Sequence, residues 1–238
     1  MREAGKMLEE VHNKLADFVK PGISTLEIDQ FGEKAIRDLG CVPNFLNYNG
    51  YPASICVSVN DEVVHGIPRK DRILQDGDIV SLDAGLIHEG YHSDAARTHA
   101  VGNVSEEAKR LIEVTKQSFF EGIKLAVPGN HLFDISEAIQ KYVESNGYSV
   151  VRDLVGHGIG THLHEDPQIP NFKQRRKGMK LRPGMTLAIE PMVNEGSYDV
   201  VWLDDDWTVV TEDGSLAAHY ENTIVITEDG CEILTLSE

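Results

Sequence analysis

Two carboxylates occur where the pattern of apolar residues predicts strands. Asp83 and Glu190 each close a run of alternating apolar residues that follows a glycine turn, although acids are depleted in strands. Asp94 follows a predicted hairpin turn, so Asp83 and Asp94 fall on one face as diagonal neighbours, about 7–8 Å apart at Cα. Two carboxylates in one space repel unless a cation or a shared proton lies between them. Taken alone, this pair is explained equally well by solvated acids on an exposed strand.

Residues 155–167 form a glycine-rich stretch that contains His157, His162 and His164. Glycine beside histidine suits a close approach of the backbone to a ligand better than it suits core packing. Histidine nitrogen and carboxylate oxygen together form a donor set that first-row transition metals favour. A lone histidine is more often structural, but three within this stretch, followed by Glu190 and Glu221, favour a metal site.

The element that must position Asp83 and Asp94 is a β-hairpin. Residues 88–90, His-Glu-Gly, separate two predicted strands, and a two-residue turn ending in glycine is typical of tight hairpins. With residues 89–90 as the turn, Asp83 lies opposite Ala96 and Asp94 lies opposite Gly85.

An internal repeat with a constant offset of 107 residues organises the chain. Residues 21–28 resemble residues 128–135, and residues 74–83 resemble residues 181–190. We therefore predict a single domain over residues 1–238, built from two similar α+β halves, 1–105 and 106–238, that share one core. Helices are predicted at 2–19, 25–39, 105–126 and 132–146, and strands at 54–59, 78–87, 91–100, 186–193 and 221–227.

The chain of 238 residues is strongly acidic, because 22 Lys and Arg stand against 39 Asp and Glu and give a net charge of −17. This charge disfavours specific nucleic-acid binding and attachment to an anionic membrane, which both require basic surfaces. The three cysteines form no Cys-x-x-Cys pair, which indicates a reducing, cytoplasmic compartment. No apolar run approaches the roughly 18–20 residues that span a bilayer.

In these residues the chain resembles the methionine aminopeptidases of the short, bacterial type I class. The resemblance covers essentially the whole chain and includes the segment 60–68, Asn-Asp-Glu-Val-Val-His-Gly-Ile-Pro, and the segment 155–167. It implies the α+β pita-bread fold, in which two pseudo-symmetric halves form one curved, mainly antiparallel sheet covered by helices. It also implies five metal ligands, in the order Asp83, Asp94, His157, Glu190 and Glu221.

The implied activity is removal of the N-terminal methionine from peptides and nascent proteins whose second residue is small. Two divalent cations, of Co, Mn, Fe or Zn, would be neutralised by the four carboxylates of the ligand set. Glu190 would also act as general base. His164 would stabilise the developing oxyanion, and His65 would contact the scissile amide.

The resemblance further implies an apolar methionine pocket and a monovalent cation near Asn60. The pocket walls would be Tyr48, Tyr51, Cys56 and Trp207, unless these residues only pack in the core. Substrate contact would also involve His65 and His164.

Several alternatives stay open at the level of sequence. The same five ligands would serve a prolidase or Xaa-Pro aminopeptidase of this fold, and a non-catalytic relative could bind partners only. The expected partners are nascent-chain N-termini and, transiently, the ribosome, while the chain itself is expected to be a monomer. A basic cluster could make the ribosome contact or form a solvated loop; it comprises Lys173, Arg175, Arg176, Lys177 and Lys180.

Overall fold

A computed structural model describes residues 1–236 of the chain. All four predicted helices are present, and their ends lie within three residues of the predicted ends. They are α1 Arg2–Phe18, α2 Thr25–Asp38, α3 Glu106–Ile123 and α4 Leu132–Ser145, and a short 3-10 turn covers Tyr48–Gly50. No helix in this range is long and apolar enough to cross a membrane.

Fifteen strands occur within residues 1–236, and every described strand pair is antiparallel. The strands are β1 Val42–Pro43, β2 Ile55–Val59, β3 Glu62–Val64, β4 Ile79–His88, β5 Tyr91–Ala100, β6 Ser149–Val150, β7 Gly156–Gly158, β8 Glu165–Ile169, β9 Thr186–Ile189, β10 Met192–Asn194, β11 Val200–Trp202, β12 Val209–Thr211, β13 Ala217–His219, β14 Asn222–Ile226 and β15 Cys231–Ile233.

The strands form four hydrogen-bonded sheets where one curved sheet was predicted. The two largest are β1-β4-β2 with β5 paired to β4, and β15-β14-β9-β7-β8. They are not separate bodies, because Ala96 and Glu221 exchange both backbone N–H···O bonds, at 3.4 and 3.0 Å. The curved surface is therefore continuous across the middle of the molecule, directly beside the predicted ligands.

The predicted hairpin register is confirmed. Asp83 pairs with Ala96, and Asp94 pairs with Gly85. At the turn, Glu89 and Gly90 both have positive φ, 50° and 82°, which is the geometry that lets a two-residue turn follow the twist of its strands.

One predicted strand, 186–193, is divided into β9 and β10. The interruption falls at Glu190 and Pro191. Proline lacks the N–H that a ladder needs, so the chain leaves β9 immediately after Ile189. This places Glu190 in the interruption and free of strand pairing.

The two pseudo-symmetric halves are visible in matching elements 107 positions apart. Helices α2 and α4 begin and end at that offset, and so do the hydrogen bonds at their starts, from the Ser24 N–H to Glu27 and from the His131 N–H to Asp134. Each half has its own apolar core: Leu8 and Ile36 lie in the first cluster, and Phe119 and Ile139 in the second.

Helix α1 packs so closely on the C-terminal segment that only glycine fits at position 5. A Cβ added at Gly5 would lie 2.0 Å from the carbonyl oxygen of Leu234. Beside it, Arg2 donates three side-chain hydrogen bonds to Glu232, at 2.7, 2.8 and 3.0 Å. These contacts tie the beginning of α1 to the end of the last sheet.

We expect Gly5→Ala to lower the free energy of unfolding by about 1–3 kcal/mol, because overpacking forces the backbone of α1 or of Leu234 to shift. Urea denaturation measures the effect. Gly230→Ala is the matched control, because a Cβ there meets no atom within 4 Å. Equal midpoints for the two variants would contradict the close approach of α1 to Leu234.

Candidate active site

The structure brings the predicted site residues into one cavity between the two halves. The cavity has a volume of about 160 Å³, and all eleven of them line it together with Phe45, Asn49 and Leu163. Larger clefts of about 730 and 350 Å³ open around the start of α1, but they are lined by other residues. The candidate active site is therefore identified by the residues that line it and not by the volume of the cavity.

Five separate elements deliver the predicted ligands. Asp83 and Asp94 lie on the paired strands β4 and β5, and His157 lies at the centre of β7. Glu190 and Glu221 stand just outside β9 and β14. Thr223 locks β14 to β5, because its Oγ1 donates to the Asp94 carbonyl at 2.8 Å and accepts the Asp94 N–H at 3.1 Å.

The ligand atoms converge at distances that suit a shared cation. Atoms of Asp94, His157 and Glu221 all lie within 4.8 Å of one another. His157 Nε2 is 3.8 Å from Asp94 Oδ2 and 3.7 Å from Glu190 Oε1. His157 Nδ1 lies 2.8 Å from the Gly158 carbonyl, so Nδ1 carries the proton and the lone pair of Nε2 faces the carboxylates.

Burial makes the carboxylate cluster unfavourable without a counter-ion. Desolvation raises the pKa of Asp83 to about 7. Desolvation, and then repulsion from neighbouring carboxylates, raises the pKa of Asp94, Glu190 and Glu221. Desolvation also lowers the pKa of His157 to about 4, so its imidazole is neutral near pH 7.

Orphaned oxygen atoms show that these residues fit a divalent metal. Asp83 Oδ1, Asp94 Oδ1 and Glu221 Oε1 are buried without a hydrogen-bond partner. Buried polar atoms normally have partners, and a carboxylate deprived of one is costly. A cation among Asp94, His157 and Glu221 would satisfy the oxygens of Asp94 and Glu221, and the mixed N/O donor set suits a first-row transition metal.

Two further histidines, His65 and His164, line the same cavity as the ligands. The rings of His164 and His157 lie 4.3 Å apart, and His164 Nδ1 is 2.7 Å from the Tyr48 hydroxyl. His65 has a φ of 59°, an uncommon conformation for a residue other than glycine. Burial lowers the pKa of His65 to about 4, so it too is neutral near pH 7.

A family model described as metallopeptidase family M24 matches residues 1–228. The chain belongs to this family. Methionine aminopeptidase from Clostridium acetobutylicum is 57% identical over 238 residues, which are 100% of this chain and 95% of that protein.

Solved structures agree with this membership of M24. Methionine aminopeptidase from Thermotoga maritima matches with a TM-score of 0.97 at 47% identity, covering 100% of this chain and 95% of that one. The predicted pita-bread fold is thereby confirmed. An X-Pro aminopeptidase from the same organism has a TM-score of 0.78 at 20% identity, and this chain covers 60% of it; that likeness shows the fold alone.

The closed end of the cavity in this M24 protein is apolar. The Tyr51 and Trp207 rings meet edge to face at 5.1 Å. The Tyr51 hydroxyl donates to the Gly66 carbonyl at 2.9 Å, so only its ring is available to a ligand. Burial raises the pKa of Cys56 well above its ordinary value, so it offers a neutral thiol.

Some lining residues could not be found from sequence. Phe45 and Leu163 are buried apolar residues that carry no motif. His219 does not line the cavity but contacts a predicted ligand, and it could have been suspected because it stands two residues before Glu221. It is buried, its two ring nitrogens lack hydrogen-bond partners, and its Nε2 lies 3.8 Å from Glu190 Oε2.

The interpretation of the glycines around His157 was wrong. A Cβ at Gly156 would lie 2.4 Å from the Ala188 carbonyl oxygen, and one at Gly158 would lie 2.3 Å from that of Asp166. The glycines thus permit close approach of neighbouring backbone, not of a ligand. His162 is 81% exposed at its side chain and does not line the cavity.

Proposed function

We propose that the chain is a methionyl aminopeptidase, a metal-dependent hydrolase that removes the N-terminal methionine from nascent proteins and peptides with a small second residue. The observation that carries the proposal is that the five-residue ligand cluster shares one cavity with an apolar recess lined by Phe45, Tyr51, Cys56, Leu163 and Trp207. The relatives named methionine aminopeptidase support it. Residues 1–238 would act as a single catalytic domain in protein maturation.

In the proposed site, two divalent cations of Co, Mn, Fe or Zn would be held by Asp83, Asp94, His157, Glu190 and Glu221. Such cations lower the pKa of a water molecule and polarise the scissile carbonyl. Four carboxylates and two dications leave the cavity close to neutral, which avoids uncompensated buried charge.

The remaining steps belong to side chains of the cavity. Glu190 accepts a proton from the attacking water and returns it to the leaving amine. His164 donates from Nε2 to the carbonyl oxygen, because the Tyr48 hydroxyl lies against Nδ1 and fixes the ring. His65 contacts the scissile amide. Tyr51, Cys56 and Trp207 enclose the methionine side chain, with Tyr48 at the rim.

The prolidase or Xaa-Pro aminopeptidase alternative is not favoured. Solved proteins of that kind match at 20–24% identity, and this chain covers about 60% of their length. A non-catalytic binding role is disfavoured by the retention of all five predicted ligands in one cavity.

Further partners are proposed from charge and contacts. Arg175, Arg176, Lys177 and Lys180 are exposed and could serve a transient ribosome contact, whereas Lys173 is paired with Glu137 at 2.5 Å. All five ligands come from one chain, so a monomer suffices.

A monovalent cation near Asn60 receives less support. The Asn60 Oδ1 accepts the Ile79 N–H at 3.0 Å, and its backbone carbonyl accepts the Ala217 N–H at 2.9 Å. Both oxygens therefore already have partners.

We expect the purified, metal-loaded protein to release methionine from Met-Ala-Ser and to leave Ala-Pro-Ala intact. The recess accepts the long thioether side chain of methionine but makes few contacts with the methyl group of alanine. We therefore expect kcat/KM for Met-Ala-Ser to exceed that for Ala-Pro-Ala by about 100-fold or more. Chromatography of the products measures both reactions. Faster cleavage of Ala-Pro-Ala would overturn the proposal in favour of the proline-specific alternative.

A further inference from the structure

Arg97 lies at the junction of the two halves, on β5 next to Ala96, and all its described hydrogen-bond acceptors are backbone or amide oxygens. Nη1 donates to the carbonyls of Ala96, at 2.7 Å, and of Glu221. Nη2 donates to Asn222 Oδ1 at 2.5 Å and to the Thr235 carbonyl at 3.1 Å. Each terminal nitrogen carries two hydrogens, so both are fully used.

Three of these acceptors belong to residues within two positions of a predicted ligand or to a ligand itself, and the fourth, Thr235, follows β15. Ala96 is two residues from Asp94 on β5, while Glu221 is itself a ligand and Asn222 begins β14. Ala96 and Glu221 also exchange backbone hydrogen bonds. The Arg97 guanidinium therefore links the backbone carbonyl of Glu221 to β5, the strand that carries Asp94.

The surroundings of Arg97 hold the side chain in a single arrangement. Its guanidinium carbon lies 4.6 Å from the centre of the Tyr220 ring, a favourable cation–π distance. Asn222 Oδ1 is held in turn by the Thr235 hydroxyl at 2.9 Å. Because the guanidinium is planar and its four acceptors are fixed, the Arg97 side chain has few alternative rotamers. The ammonium group of a lysine is a point charge on a flexible chain and could not reach all four acceptors.

Arg97 also places a positive charge behind the carboxylate cluster. Burial lowers its pKa, but the neighbouring Tyr220, Glu221 and Glu9 oppose that change, and a guanidinium stays charged in proteins. That charge lies beside the backbone of Glu221, whose carbonyl accepts a hydrogen bond from the guanidinium.

We propose that Arg97 is a positioning residue that fixes the separation of Asp94 and Glu221 across the two halves and thereby sets the affinity of the site for divalent metal. The inference rests on the proposed ligand set. Arg97 is not among the residues that line the cavity, and it acts through the backbone that carries the ligands.

The test is a calorimetric titration of metal-free wild type, Arg97→Lys and Arg110→Lys with Mn²⁺, alongside thermal unfolding of each metal-free protein. Arg110 is the matched control, because it also stacks on a tyrosine, Tyr148 at 5.3 Å, and donates to a backbone carbonyl, but on α3. We expect Arg97→Lys to weaken Mn²⁺ binding by about 10–100-fold, as for other residues that support metal ligands, and Arg110→Lys to bind as the wild type does.

The outcomes separate the inference from the function on which it rests. If Arg97→Lys lowers the melting temperature but binds Mn²⁺ as tightly as the wild type, Arg97 is only structural and the inference fails. If the wild type itself binds no Mn²⁺, the proposed metal site fails. Should Arg97→Lys not fold, Asn222→Leu removes one acceptor of the same guanidinium, and unchanged Mn²⁺ affinity in that variant overturns the inference.

Discussion

Glu190→Gln should lower kcat/KM for a Met-Ala peptide by about 10³-fold, within the range found when a general base is lost. The substitution keeps the size of the side chain and removes its charge. Glutamine cannot accept the proton of the attacking water, and its amide oxygen is a poorer metal ligand than a carboxylate. The measurement is steady-state cleavage at saturating Mn²⁺.

The fold should survive this substitution, because Glu190 is not held by its carboxylate. Its backbone carbonyl accepts a hydrogen bond from Asn171 Nδ2 at 2.9 Å, and glutamine retains that contact. Burial raises the pKa of Glu190, so a neutral side chain is at least as stable there without metal. The circular dichroism spectrum and metal-free melting temperature should match those of the wild type or exceed them.

Glu195→Gln is the control for a general effect of removing negative charge. Glu195 is exposed just beyond β10, and its variant should keep wild-type kcat/KM. If Glu190→Gln retained more than a tenth of the activity, the assignment of Glu190 as both base and ligand could not stand.

Removing the metal should abolish activity. The free energy of unfolding of the metal-free protein should then fall as pH rises. The pKa of Asp83 is raised from 3.8 to about 7 in the folded, metal-free protein, so the folded state keeps a proton that the unfolded state releases above about pH 4. The stabilisation due to this proton is complete below that pH and is lost as pH rises through about 7. By linkage the loss from Asp83 alone is about 4 kcal/mol. Raised pKa values of Asp94, Glu190 and Glu221 act in the same direction.

Bound dications reverse this trend, because they favour the ionised carboxylates and compete with protons. The increase in melting temperature caused by Mn²⁺ should therefore be larger at pH 8 than at pH 5, and activity should return when Mn²⁺ is added back. Differential scanning calorimetry with and without chelator measures this difference, with Asp94→Asn as a comparison that should respond less. An equal Mn²⁺ effect at both pH values would argue against a buried carboxylate site.

The elements that sequence predicted well are those fixed by local chemistry. Glycine in the turn at residues 89–90 determines the register of β4 and β5, and that register alone puts Asp83 and Asp94 on one face. The capping box at Ser24 and Glu27 likewise fixes the start of α2 within one turn of helix. The acids at strand ends and the histidines in a glycine-rich stretch indicated a metal site, but the set of five ligands was implied only by the resemblance to the methionine aminopeptidases.

Features that depend on distant contacts could not be predicted. In the sequence, Arg97 is only one residue of a predicted strand. Its hydrogen-bond acceptors in Glu221 and Thr235 lie 124 and 138 residues further along the chain. Phe45 and Leu163 look like any other apolar residues until the chain folds around the recess. The division of the predicted sheet into four also depends on where distant strands meet, apart from the interruption at Pro191.

The distribution of the proposed ligands over the chain has a consequence for biosynthesis. Asp83 and Asp94 belong to a hairpin of nearest neighbours, which can form early, while Glu221 is joined to that hairpin through β14 and the hydrogen bonds of Ala96 and Arg97. Contacts so distant in sequence form late, and a ribosome delivers the first half before the second. Metal capture would then belong to the final stage of folding, so that a chain which has acquired its cations has also completed its fold.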